Sequence, residues 1–130
     1  MALKVLIVED SQAALESLEE FLREICGFEV FTASAGEKAL ELLKAERPAV
    51  VLLNLYLGPE DMSGLRILRE AKAGDPEIVV YVMTGFDKES IRDKAMAQGA
   101  CEYWLKPLDL DKIQSILLKA AGELAKKGRA

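Results

Sequence analysis

Residues 3–11 read LKVLIVEDS: a strand-length run that is apolar on both faces apart from Lys4, followed at once by two carboxylates and a serine. Two more runs of the same kind, VVLLNL at 50–55 and IVVYVM at 78–83, recur further on. Unbroken apolar runs of this length suit central parallel strands, which are covered on both faces. FEVFTA at 28–33 alternates more and CEYWL at 101–105 is short, so these two are predicted as edge strands. Between the runs, apolar residues fall at helical spacing: Leu15, Leu18, Leu22 and Ile25; Ala39, Leu40, Leu42 and Leu43; Ile113, Ile116, Leu117, Ala120 and Leu124. Strand and helix alternate throughout, the pattern of βα units around a parallel sheet, with five strands and five helices.

Local signals place the helix ends. Ser34 and Glu37 have capping-box spacing, Asp87 can cap the fourth helix, and Gly27 and Gly99 stand where helices should stop. No linker, internal repeat or low-complexity tract divides the chain, and KKGR at 126–129 is predicted to be the solvated end of the last helix. The 130 residues suit one domain with one core. Hydrophobic residues make up 51% and charged residues 30%, which fits a soluble globular chain and neither a disordered nor a membrane class.

Seventeen basic and twenty-two acidic residues give a net charge of −5, the wrong sign for a surface that binds nucleic acid by counterion release. No stretch has the length of a membrane span or the form of a signal peptide. Cys26 and Cys101 lack metal-ligand spacing and read as buried packing residues in a reducing, cytoplasmic setting.

Right-handed crossovers bring every loop that follows a strand to one edge of the sheet. A doubly wound α/β sheet of (βα)5 type in the flavodoxin-like order 2-1-3-4-5 binds ligands at that edge, where strand order reverses. The polar residues there are Glu9 and Asp10, Asn54, Thr84 and Lys106. An acidic pair can hold a divalent cation, and a hydroxyl with an ammonium can grip a phosphoryl group. Each residue also has a plainer reading. Acids at the start of a helix favour its dipole, Thr84 suits a strand-end turn, an isolated Lys106 is usually solvated, and Tyr103 and Trp104 fit an edge-strand core.

Taken together, VEDS after strand 1, Thr84-Gly85 after strand 4, and Lys106-Pro107 with Tyr103 three residues earlier resemble the receiver domain of two-component response regulators. The resemblance runs from residue 3 to about residue 126 and implies one receiver domain across residues 1–130. It implies that Asn54 stands where the family has the aspartate that takes a phosphoryl group from a histidine kinase. It also implies a magnesium site formed by Glu9, Asp10, that position and the backbone carbonyl of Tyr56. Lys106 and Thr84 would contact the phosphoryl group and Tyr103 would respond to it. The partners implied are a histidine kinase or phosphotransfer protein meeting helix 1, and a downstream protein meeting helix 4, strand 5 and helix 5, with the chain a monomer or weak homodimer.

Two features depart from the family pattern. The amide of Asn54 cannot form an acyl phosphate, so ordinary phosphorylation should be blocked. With Glu9 and Asp10 set against Lys106, the pocket charge is −1 in place of the −2 an aspartate would give, and magnesium should bind weakly or not at all. The loop LGPEDMSG between Asn54 and Gly64 is two residues longer than usual. Its Asp61 fits a helix cap better than a substitute acceptor.

The expected function is therefore a receiver module, stand-alone or a piece of a longer chain, in which Asn54 blocks phosphorylation, or a phosphate-independent pseudo-receiver. A flavodoxin-like carrier or enzyme is the competing class, but VEDSQ at 8–12 is no phosphate cradle, and GxGxxG, GxxxxGK and histidine are all missing.

Overall fold

The computed structural model describes residues 2–57 and 63–129; Asp61, weighed above as cap or acceptor, lies outside them. The apolar runs form strands β1 (Lys4–Val8), β3 (Val50–Asn54) and β4 (Val79–Thr84), flanked by β2 (Glu29–Ala33) and β5 (Glu102–Leu105). All pairings are parallel, in the order β2-β1-β3-β4-β5. The helices are α1 (Gln12–Glu20), α2 (Gly36–Glu46), α3 (Ser63–Gly74), α4 (Glu89–Ala97) and α5 (Leu110–Lys126). This is the flavodoxin-like (βα)5 architecture.

Alternating side chains of the central strands feed two separate cores. Val5, Ile7, Leu52, Tyr81 and Met83 pack with Leu15 and Leu18 of α1, Leu22 just beyond it, and Ile113 and Leu117 of α5. Leu6, Val8, Val51, Leu53 and Val82 pack on the other face with Ala39, Ile67, Leu68 and Ala95 of α2, α3 and α4. Burial on both faces is why these runs carry no polar alternation.

Several local expectations are corrected. The chain continues past α1 as a π-helical turn over Phe21–Ile25, closed by the Cys26 N–H on the Phe21 carbonyl at 3.3 Å. The wider turn takes up an extra residue and shifts the helical phase by about 100°. Ile25, in phase with Leu15, Leu18 and Leu22 by sequence, is thereby turned out and is 61% exposed. Ser34 does not cap α2, whose N-cap is Ala35 in extended backbone; Glu37 instead lies in the first turn, where it favours the dipole. Asp87 does not cap α4, which starts after Lys88; its carboxylate pairs with Arg92 at 2.6 Å. Cys101 is exposed because it precedes the edge strand β5, whereas Cys26 is half-buried. Gly27 and Gly99 do end their helices, at φ +72 and +101, the left-handed region glycine enters freely.

Tyr81 is 3% exposed and stacks on Trp104, with ring centroids 4.7 Å apart. Burial above all, with nearby Cys101 and Glu102 adding to it, raises its phenol well above the usual value. The unfolded chain releases this proton near pH 10, while the folded chain still holds it. Stability is therefore expected to fall as pH rises beyond that point. A tyrosinate absorbance titration should show this phenol ionising only with unfolding, and Tyr81→Phe should reduce the alkaline loss; an unchanged loss would refute the assignment.

Candidate functional site

Four strand ends meet at one edge of the sheet. Glu9 follows β1, its N–H bonded to the Ala33 carbonyl at 3.0 Å; Asn54 and Thr84 close β3 and β4; Lys106 follows β5, its N–H on the Thr84 carbonyl at 2.8 Å. Glu9, Asn54 and Thr84 are 1%, 6% and 0% exposed, so three polar side chains are buried together and each needs partners. Asp10 is exposed at the rim, and the Lys106–Pro107 peptide is cis.

The Asn54 amide nitrogen makes three hydrogen bonds. It donates to Glu9 Oε2 at 3.0 Å, Asp10 Oδ1 at 2.9 Å and the Tyr56 carbonyl at 2.6 Å. Three acceptors around one group dictate the amide's orientation, since its oxygen would repel all of them. The other Glu9 oxygen, Oε1, receives Lys106 Nζ at 2.5 Å. Oε2 also accepts the Ser11 N–H at 3.2 Å, and the Ser11 hydroxyl caps α1 by accepting from the Ala14 N–H. The Glu9 carboxylate is thus satisfied without an ion.

Thr84 and Tyr103 are set apart from this cluster. Thr84 Oγ1 accepts the Phe86 N–H at 3.1 Å, and the Tyr103 hydroxyl donates to the Phe86 carbonyl at 2.8 Å. The Phe86 ring packs edge-on against Tyr56, centroids 5.3 Å apart, and the Arg92 guanidinium lies over the Tyr103 ring. Burial pushes the Tyr103 phenol up.

The structure therefore gathers Glu9, Asp10, Asn54, the Tyr56 carbonyl and Lys106 into one network, with Thr84 beside it and Tyr103 one residue contact further out. Sequence reasoning missed Ser11 and Phe86 as parts of it. Ser11 had a signal, a serine directly before an apolar helical stripe; Phe86 had none.

A parallel sheet in the order β2-β1-β3-β4-β5, with acids after β1, a polar residue at the end of β3 and a lysine after β5, places the chain among flavodoxin-like α/β domains with a polar site at the C-terminal edge of the sheet. Residues 5–118 match the model of the response regulator receiver domain, and the chain belongs to that family. It is 32% identical over 116 residues to sporulation initiation phosphotransferase F of Bacillus subtilis, covering 89% of this chain and 91% of that protein. It is also 37% identical over 107 residues to a cyclic di-GMP phosphodiesterase of Thermotoga maritima, covering 82% of this chain but 28% of that longer protein. Among solved structures, a CheY-like receiver domain protein of Methanospirillum hungatei superposes with a TM-score of 0.89 at 25% identity, covering 98% of this chain and 99% of that one. Receiver domains are typically signalling modules and not enzymes; they meet histidine kinases or phosphotransfer proteins and generally bind magnesium at an acidic pocket. Among the described residues, no helix is long and apolar enough to cross a membrane.

The oxygens of Glu9, Asp10 and Tyr56 are the donor type a hard cation takes. They do not fit one as arranged, because the point on which they converge is held by the Asn54 amide nitrogen.

Proposed function

We propose that the chain is a single receiver domain across residues 1–130, with Asn54 at the phosphoacceptor position, that acts through protein contacts without being phosphorylated. The observation that carries this reading is the Asn54 side chain at the end of β3, enclosed by Glu9, Asp10 and the Tyr56 carbonyl with Lys106 alongside. A carboxamide is too weak a nucleophile to displace at phosphorus, and Lys106 is engaged with Glu9. Magnesium has little part in this state. Its partners are a histidine kinase or phosphotransfer protein, a downstream protein, or both. Exposed Phe86, Leu105 and Leu118 support a partner surface along α4, β5 and α5, the face the family resemblance implies.

The test is exposure to acetyl phosphate with magnesium, read by intact mass. The unmodified chain is expected to gain nothing and Asn54→Asp to gain one phosphoryl group, with Lys106→Ala then impairing the response. Phosphorylation of the unmodified chain would overturn the reading. If Asn54→Asp stays unlabelled, the acceptor assignment fails and a pseudo-receiver that has lost the whole reaction takes its place.

A further inference from the structure

We propose that the Asn54 amide is a built-in replacement for the divalent cation: its NH2 group fills the focus of the acidic pocket, so the chain excludes magnesium instead of binding it weakly. This takes from the receiver reading only the expectation that magnesium belongs at the acidic pocket.

The geometry is that of a filled site. Two carboxylate oxygens and one carbonyl oxygen, from the loops after β1 and β3, point at one nitrogen from 2.6 to 3.0 Å. These are hydrogen-bond distances, longer than the spacing of about 2.1 Å that magnesium requires. An amide nitrogen has no free lone pair to offer a metal, and its hydrogens carry partial positive charge. Its two N–H bonds serve three acceptors, one of them shared, and so supply part of what an ion would. Lys106 compensates the remaining Glu9 oxygen with a full charge at 2.5 Å. Glu9 is 1% exposed and Asn54 6%, which leaves the two groups little freedom to part.

The two occupants are mutually exclusive. An ion at the focus would meet the amide hydrogens, so it enters only if the amide turns over and presents Oδ1. That turn breaks all three hydrogen bonds at once. Weak binding from a missing charge and exclusion by an occupied focus therefore differ in what removal of the side chain does. If the missing carboxylate is the cause, Asn54→Ala binds magnesium no better than the parent. If the amide is the cause, Asn54→Ala uncovers three oxygens that lack a donor and gains a site although no carboxylate has been added.

Calorimetric titration with magnesium chloride and thermal melts in chelator and in magnesium decide between them. The parent chain is expected to show no saturable heat and the same melting temperature in both buffers. Asn54→Ala and Asn54→Asp should melt lower in chelator, bind magnesium saturably, and regain stability with it. Saturable binding by the parent that Asp10→Ala removes, or an Asn54→Ala chain that binds no better than the parent, would overturn the proposal. A measurement without any variant guards against misfolding of the alanine form. In nitrogen–proton correlation spectra of the parent, the Asn54 side-chain NH2 pair should exchange slowly with solvent and stay fixed on adding magnesium; fast exchange or a magnesium-dependent shift counts against it. These results are separable from the phosphorylation test: Asn54→Asp can accept a phosphoryl group even if the parent proves to bind magnesium.

Discussion

Gly64→Ala is expected to lower the unfolding free energy by about 3 kcal/mol, the upper part of the range for forced overpacking. Gly64 lies in the first turn of α3, and a Cβ built on it would run into the Leu55 carbonyl oxygen and meet its carbonyl carbon at 2.6 Å. Those are backbone atoms of the segment leading out of β3, so no side chain can turn aside to relieve the clash. Either α3 lifts off the sheet or Leu55 moves, and Leu55 is bonded through its N–H to the Met83 carbonyl at 3.0 Å. Gly122→Ala in α5 is the control, because nothing lies within 4 Å of the added carbon. It should stabilise by about 0.5–1 kcal/mol through helix propensity. Urea melts of the three chains settle the matter, and a Gly64→Ala chain that unfolds with the parent would show that α3 does not sit this close to β3.

Lys106→Met is expected to cost about 2–3 kcal/mol, because it strands a buried carboxylate. Glu9 is 1% exposed while the Lys106 side chain is 30% exposed, so the loss belongs mainly to the glutamate. The ammonium's partial solvation keeps the figure below that of a fully buried pair. With Glu9→Gln in the same chain the charge disappears, and most of the loss should be recovered. A four-cornered set of urea melts gives the coupling directly. Additive losses would mean that Glu9 and Lys106 do not sense each other in solution.

The three central strands were legible because a run such as VVLLN has no face left for water, and only a position covered on both sides tolerates that. The edge strands were legible by contrast, through their alternation or brevity. The meeting of Glu9, Asp10, Asn54 and Lys106 followed from topology, since parallel strands joined by right-handed crossovers deliver all their C-terminal ends to one edge. What stayed hidden depends on small rotations. The stripe Leu15, Leu18, Leu22, Ile25 carries no mark of the π turn that expels its last member. Ser34 and Glu37 have the spacing of a capping box, but α2 begins at Gly36, after Ala35, and spacing does not fix where the first turn closes. At Asn54 the sequence showed an amide where the family resemblance implies a carboxylate. That its nitrogen faces three oxygens is a property of their convergence, which no single stretch of sequence encodes.

Phe86 projects from the loop after β4 and is 58% exposed, yet its backbone is held on both sides, the N–H by Thr84 and the carbonyl by Tyr103, while Tyr56 braces the ring edge-on. An exposed aromatic on a loose loop surrenders conformational freedom when a partner covers it, and that cost is subtracted from affinity. Here the freedom is already lost when the chain folds. A protein that docks over Phe86 meets a rigid apolar anchor, so the contact should form with little entropic penalty from this side of the interface.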